Sequence, residues 1–477
     1  MNITQAAGQI ESALRAYTAL TPEGRHRVSL AAQRPLYLIG PPGVGKTAAV
    51  AQAARRMGVG FAAYTMTLHT RQSALGLPVI ARREVNGEER SVTEYTMSEI
   101  VAEVWARHDA GAERGILFLD EINCVSESLM PAMLQLLQYK TFGVHALPRD
   151  WMLVCAGNPP KYNRYAHTFD AVVLDRLRVI EVEPDLEAWR SFAAAHGVHP
   201  SVKSYLSLRP EDFYAADGDR VVTARSWTDL SDAMLAMEAS GDEADGMLFT
   251  QYLQVEPVAE RFTLYYRLCA ELQARLDGML EGRPVSMAGA PFDEALFAAL
   301  LISGRLQAMA GERAGDQRLR DRLTRFAEGV AREAQGPGAD VATVCETHIA
   351  RQQAALDARV RMNAIDEAGV AAERRALSRM RLAAGEAGSR REQGPAAMLE
   401  ALRACAPVMD DVPLERAFDR SMDFIESGVD DPNVRMMFLM DLARSPAFSQ
   451  WLKGDRRARF DALRRASDPD ERAGAMK

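Results

Sequence analysis

Apolar residues in the first 180 positions gather into short unbroken runs separated by stretches of helical period. The runs at 35–39, 61–68, 115–119, 151–156 and 177–182 lack the alternation of a strand with one wet face, so they predict central strands covered on both sides. Strands alternating with helices predict a parallel sheet with helices on both faces. From Asp185 to about residue 280 the period becomes helical throughout, with Trp189, Phe192, Val202, Tyr205 and Leu208 at helical spacings. Glycine and proline in "EGRPVSMAGAPFDE", 281–294, predict a linker. The remainder is again helical, punctuated by "QGPGAD" at 335–340 and "AGEAGSRREQGP" at 384–395. Between these breaks Ile349, Leu356, Val360, Val370, Leu377 and Met380 recur at helical intervals in a highly charged stretch. That pattern suits a helix packed in a bundle with a solvated outer face, or a short coiled coil.

Length and composition narrow the class. At 477 residues the chain exceeds one core, and about 150 residues per domain suggests about three domains. A formal charge of −8 and a pI near 5.7 argue against a broad nucleic-acid-binding surface. Cys124, Cys155, Cys269, Cys345 and Cys405 are scattered without a CxxC pair, which predicts reduced thiols and neither disulfides nor a zinc site. No signal-peptide core or membrane-spanning apolar run is evident, so a cytoplasmic location is expected.

Chemistry enters at "LYLIGPPGVGKT", 36–47. An apolar strand runs into Gly40, Pro41, Pro42, Gly43, Val44, Gly45, Lys46 and Thr47, the spacing of a nucleotide triphosphatase phosphate loop. The glycines let backbone N–H groups approach phosphates, and the following helix points its positive end at them. Lys46 is expected on the β- and γ-phosphates of ATP and the Thr47 hydroxyl on Mg²⁺. "GILFLDEIN", 115–123, is a buried strand ending in two acids, which is costly unless they serve something charged. Asp120 suits a Mg²⁺ ligand through water, and Glu121 suits polarisation of the attacking water. "WMLVCAGNPP", 151–160, ends a further buried strand in Asn158, an amide able to orient water or simply to make a turn. Arg176 in "DAVVLDRLRVIEV" and Arg225 in "VTARSWTDLSDAM" read, on residues alone, as solvated arginines. His196 and His199 fit helix ends better than a metal site, and "RLRDRLTRF", 318–326, fits a solvated helix face.

In this order, the phosphate loop, Asp-Glu strand, Asn-ended strand, Asp-Arg-Leu turn and helix-opening arginine resemble AAA+ ATPases. Residues 1 to about 270 more closely resemble the MoxR-like branch of the helix-2-insert clade. "LHTRQSALGLPVIARREVNGEERSVTEYTMSEI" looks like that branch's insert, about 70–96, and "KTFGVHALPRD", 140–150, like its hairpin before sensor 1. The resemblance implies an AAA+ α/β core over 1–184, a small all-helical lid over 185–280, and a separate helical C-terminal domain over 290–477 serving as partner or adaptor region. It makes Asn158 sensor 1, Arg176 the arginine finger and Arg225 sensor 2. It also implies an ATP- and Mg²⁺-dependent remodelling chaperone, assembled as a hexameric ring, acting on a partner with a von Willebrand factor A domain. Rival expectations are a DNA-acting AAA+ motor and an ATP-dependent assembly switch. Two departures stand out: the finger motif ends in Leu177 where the family has Phe, and the insert reads "SALGLP" where Asp-Leu-x-Gly is common.

Overall fold

Each of the five unbroken apolar runs forms a strand of one parallel sheet. The computed structural model describes residues 1–468 apart from 87, 281–286, 288 and 335–339. Along the chain lie α1 (Ile3–Thr18), β1 (Leu36–Ile39), α2 (Lys46–Met57), β2 (Gly60–Thr65), α3 (Arg71–Leu75), β3 (Pro78–Val85) and β4 (Glu88–Tyr95). There follow α4 (Glu99–Asp109), β5 (Gly115–Asp120), α5 (Met130–Tyr139), β6 (Thr141–Phe142), β7 (His145–Ala146), β8 (Trp151–Gly157), α6 (Ala171–Leu174) and β9 (Arg178–Glu181). The sheet order is β2-β5-β8-β1-β9, so the strands ending in the phosphate loop, the two acids and Asn158 lie side by side. This is the AAA P-loop NTPase fold. β8 is buried along its whole length, as its lack of alternation requires. Its neighbours contribute Tyr37, Leu117 and Leu119 to one apolar core with Trp151, Leu153 and Cys155.

Two hairpins interrupt the α/β pattern. β3 and β4 pair antiparallel from Pro78↔Tyr95 to Val85↔Glu88, with Asn86 in the turn at φ 56°. Their burial is slight, and Ile80 is 82% exposed. The shorter pair, β6 and β7, follows α5 and turns through Gly143 at φ 60°.

By compactness the chain separates into Met1–Pro184 with Cys345–Arg381, and Asp185–Val344 with Leu382–Lys477. The C-terminal stretch 290–477 is thus divided between the two. In the first unit, Met362 packs against the sheet's core, the Phe61 N–H faces the Met362 carbonyl at 3.4 Å, and Arg55 approaches Asp366 at 3.8 Å.

The second unit holds α7 (Leu186–His196), α8 (Pro200–Leu208), a small hairpin of β10 (Ala215–Asp217) and β11 (Arg220–Val222), α9 (Ala224–Ser240), α10 (Gly246–Tyr252) and α11 (Glu256–Leu280). An aromatic cluster of Trp189, Tyr205, Trp227, Phe249 and Phe262 fills this part. Next along the chain come α12 (Phe292–Glu333), α13 (Val341–Arg361) and α14 (Glu367–Ser389), the last two mostly in the first unit, and then α15 (Pro395–Ala404), α16 (Val412–Gly428), α17 (Pro432–Arg444), α18 (Pro446–Trp451) and α19 (Gly454–Ser467) in the second. Leu296, Phe297 and Leu300 of α12 share a core with Phe418, Phe438, Phe448 and Phe460, and Cys269 of α11 joins it. Half of the expected linker at 281–294 lies outside the described residues, and its last three positions open α12. The break expected at 335–340 also lies outside them, except Asp340. The break expected at 384–395 begins later than the sequence suggests. α14 runs on to Ser389, because buried Ala383 and Ala387 hold its last turns despite Gly385 and Gly388.

Candidate functional site

Parallel strands deliver their C-terminal ends to one edge of the sheet, and there the sequence places its charged and polar residues. β1 leads into the loop Gly40–Gly45, and Gly45 takes φ +88°, a conformation that favours glycine, immediately before α2. Lys46 opens α2 and is 8% exposed. An ammonium this buried needs acceptors. It donates to the carbonyls of Gly40 and Pro41, both at 2.8 Å, and to Asn158 Oδ1 at 2.9 Å. Asn158, from the end of β8, therefore meets the phosphate-loop lysine directly.

On the neighbouring strand Asp120 Oδ2 accepts from the Thr47 hydroxyl at 2.9 Å, while its Oδ1 accepts from the Glu121 N–H at 2.9 Å. Glu121 takes φ 54°, a left-handed backbone that costs roughly 1–2 kcal/mol for an L-residue. Strain of this kind gathers where a side chain must leave the line of its strand. The Glu121 carboxylate accepts from the Thr67 hydroxyl at 2.8 Å. Next to the acids, burial and then the charges of Glu121 and Asp120 push the Cys124 thiol up, so it stays protonated at neutral pH. Thr47 and Asp120 present adjacent hard oxygen donors, a set that fits Mg²⁺, and among the described residues no cluster of three or more His, Cys, Asp or Glu offers another metal site.

Three residues that hold predicted site residues in place carried no signal in the sequence. Asn123 is fully buried, and its Nδ2 donates to the Asn158 carbonyl at 2.8 Å, fixing the loop that aims Asn158. Gly157 makes room for it: a Cβ there would stand 2.3 Å from Asn123 Oδ1. Thr67 lies inside the run 61–68 and gave no hint. Gln138 sits on α5 among apolar positions and gave none.

Arg176 is not with this group. It follows α6 and precedes β9, at the opposite end of the sheet. In the β1–β9 register Arg178 pairs with Leu36, so Arg176 is about six residues, roughly 20 Å at ~3.3 Å per residue, from the level of Gly40. Its Nε donates to Gln138 Oε1 at 3.2 Å and its Nη1 to the Val172 carbonyl at 2.8 Å. Its neighbour in sequence, Asp175, does not hold this guanidinium and pairs at 3.5 Å with Arg34 instead. Leu177 is 3% exposed within the core, which fills the apolar position next to the arginine. Arg178 bonds Gln9 of α1. Arg225 is in the second unit, the exposed second residue of α9, behind a capping box of Thr223 and Ser226. His196 bonds the Phe192 carbonyl in the last turn of α7, and His199 caps α8 while its Nε2 meets Glu238 at 2.9 Å.

Residues 35–177 match the family model of the AAA domain (dynein-related subfamily). No curated protein matches the chain. Among solved structures, a proposed ATPase from Cytophaga hutchinsonii is similar over 49% of this chain and 79% of its own, at 14% identity and a TM-score of 0.22. NtrX from Brucella abortus, solved in complex with ADP, is similar over 49% of each chain, at 15% identity and a TM-score of 0.30.

Proposed function

We propose that this chain is an ATP-hydrolysing, MoxR-like AAA+ remodelling chaperone that works as a hexameric ring in the cytoplasm on a partner protein carrying a von Willebrand factor A domain. The supporting observation is the separation of two sets of residues. Lys46, Thr47, Asp120, Glu121 and Asn158 gather at one edge of the sheet, while Arg176 stands about 20 Å away along the strands. An arginine so placed cannot reach a nucleotide on its own loop, and it suits one held by a neighbouring copy.

In this reading Lys46 exchanges its loop carbonyls for the β- and γ-phosphates of ATP. Thr47 and Asp120 would hold Mg²⁺, which when bound would supply charge neutralisation of the phosphates. Glu121 polarises the attacking water, and Asn158, already aimed at Lys46 by Asn123, orients it. Arg176 completes a neighbour's site, a contribution of about 10³ to 10⁵ in rate. Arg225 serves as sensor 2, the exposed β3–β4 hairpin engages the partner, and the C-terminal helices act as adaptor. The acidic pI of about 5.7 favours a protein client over nucleic acid. Among the described residues no helix is long and apolar enough to cross a membrane.

The test mixes Arg176→Ala with Lys46→Ala. Each variant should be nearly inactive alone. An Arg176→Ala subunit keeps its phosphate loop and can borrow the finger of a Lys46→Ala neighbour, so ATPase activity should return on mixing. Arg178→Ala, whose guanidinium is already committed to Gln9, is the control and should matter less. No recovery on mixing, with subunit exchange verified, removes the trans mechanism.

A further inference from the structure

Arg176 does not face its surroundings alone. A surface cavity of about 540 Å³ is lined by Arg176, Asp175 and Val172 after β8, by Gln138 of α5, and by Gln33 and Arg34 just ahead of β1. Two guanidiniums from segments 142 positions apart thus share one cavity. Its size is that of a small-ligand site, about 300–1,000 Å³.

The two arginines are held differently. Arg176 is fixed by Gln138 and the Val172 carbonyl, which engage Nε and Nη1 and leave Nη2 for a ligand. Arg34 has a fixed backbone, since the Tyr17 hydroxyl donates to its carbonyl at 3.0 Å and its own N–H donates to the Ala32 carbonyl at 3.1 Å. Its side chain, 53% exposed, makes a 3.5 Å ion pair with Asp175, itself 79% exposed. An exposed pair at that distance contributes little, and a phosphate with two charges displaces it readily. Beneath them buried Gln33 is clamped by Lys140 at 2.7 Å and by the Tyr17 and Val28 carbonyls at 2.9 and 3.1 Å, so the cavity floor is rigid.

We propose that Arg34 is a second arginine acting across the subunit boundary, and that it and Arg176 form one anion site for the polyphosphate of a nucleotide bound by a neighbouring copy. This rests on the ring ATPase reading. Because the cavity lies at the same end of β1 as Arg176, Arg34 is equally out of reach of its own phosphate loop. On docking, Arg34 leaves Asp175 for a phosphate oxygen, and Asp175 is left in water, where its charge costs little.

The experiment measures steady-state ATPase, ATP affinity and assembly by light scattering for Arg34→Ala, Arg34→Lys and Arg176→Ala. Each is tested alone and mixed with Lys46→Ala. Arg34→Ala should lower kcat by about 10- to 100-fold with unchanged ATP affinity and unchanged assembly in nucleotide. Arg34→Lys should recover part of the rate, since charge survives while the planar fork is lost. Mixing Arg34→Ala with Lys46→Ala should raise the rate well above either alone. If the Arg176→Ala mixture recovers while Arg34→Ala alone turns over at the wild-type rate, Arg34 is only a surface residue and the trans mechanism stands without it. Should neither mixture recover, the trans mechanism and this proposal fall together. A defect in Arg34→Ala that vanishes at high protein concentration assigns the residue to assembly and also overturns the proposal.

Discussion

Replacing Lys203 by methionine should destabilise the second unit by about 3 to 5 kcal/mol, the usual consequence of stranding one buried partner of an ion pair. Lys203 on α8 and Asp441 on α17 lie 3.1 Å apart with side chains 6% and 9% exposed. Asp441 Oδ2 also accepts from Ser303 Oγ at 2.6 Å and from Gln307 Nε2 at 2.9 Å, both on α12. Without the ammonium those two neutral bonds remain, each about 1 kcal/mol net, and they do not offset a buried carboxylate charge. Methionine keeps most of the lysine stem, so the loss reports electrostatics more than packing. The assay is urea unfolding followed by fluorescence of Trp189, Trp227 and Trp451, all in this unit, with a Tm drop of roughly 6 to 20 °C in parallel. Asp441→Asn in the same background removes the stranded charge but keeps an acceptor for Ser303, and should regain most of the stability. A cost below about 1 kcal/mol for Lys203→Met, or losses that simply add in the double variant, refutes the view that this network ties the helices together.

Other outcomes follow from the first unit. Glu121→Gln should bind ATP as tightly as wild type and hydrolyse it at least about 100-fold more slowly; wild-type turnover would move the water-polarising role elsewhere. Exchanging residues 82–91 for Asn-Gly preserves the Ala81↔Val92 pairing and closes a two-residue hairpin. Basal ATPase should stay within about twofold while partner-stimulated turnover falls, and equal loss of both would make the hairpin structural. Lys140 carries a pH signature. Burial lowers its pKa from 10.5 to about 8, against the opposing charge of Asp150. Between these values the unfolded chain binds the extra proton, so stability from this residue rises with pH from about 8 to 10.5, and its penalty is present in full below about 8. Lys140→Met should flatten that rise in pH-dependent unfolding; an unchanged slope would refute the assignment.

The sheet was legible because its strands are covered on both faces, which forces unbroken apolar runs, and because those runs are short and alternate with helical stretches, unlike the equally apolar 295–302 inside the 42-residue helix α12. All five runs became strands, with ends shifted by at most three residues. Helix ends were less legible. Glycines at 385 and 388 look like a stop, yet each costs only about 1 kcal/mol in a helix, and buried Ala383 and Ala387 outweigh them. The return of Cys345–Arg381 to the first unit had no local cue, since Met362 is an ordinary apolar residue until the Phe61 edge of the sheet meets it.

In the site, legibility followed charge. Lys46, Asp120 and Glu121 stand at the ends of buried strands or loops, where an ionised group is costly without a purpose, so the sequence alone points to them. Neutral residues that aim the charged ones cost little wherever they fall, and they leave no such mark. Asn123 holds the Asn158 loop, Thr67 holds Glu121, and Gln138 holds Arg176, each through one hydrogen bond from a distant segment. Asp175 shows the converse case. Proximity in sequence made it the obvious partner for Arg176, but the last turn of α6 gives Arg176 to the Val172 carbonyl and leaves Asp175 facing Arg34. Helical geometry favours partners four residues back over the adjacent residue. Adjacent opposite charges after a helix are therefore poor evidence of a pair, and the arginine's position in the sheet register is the stronger guide to what it can touch.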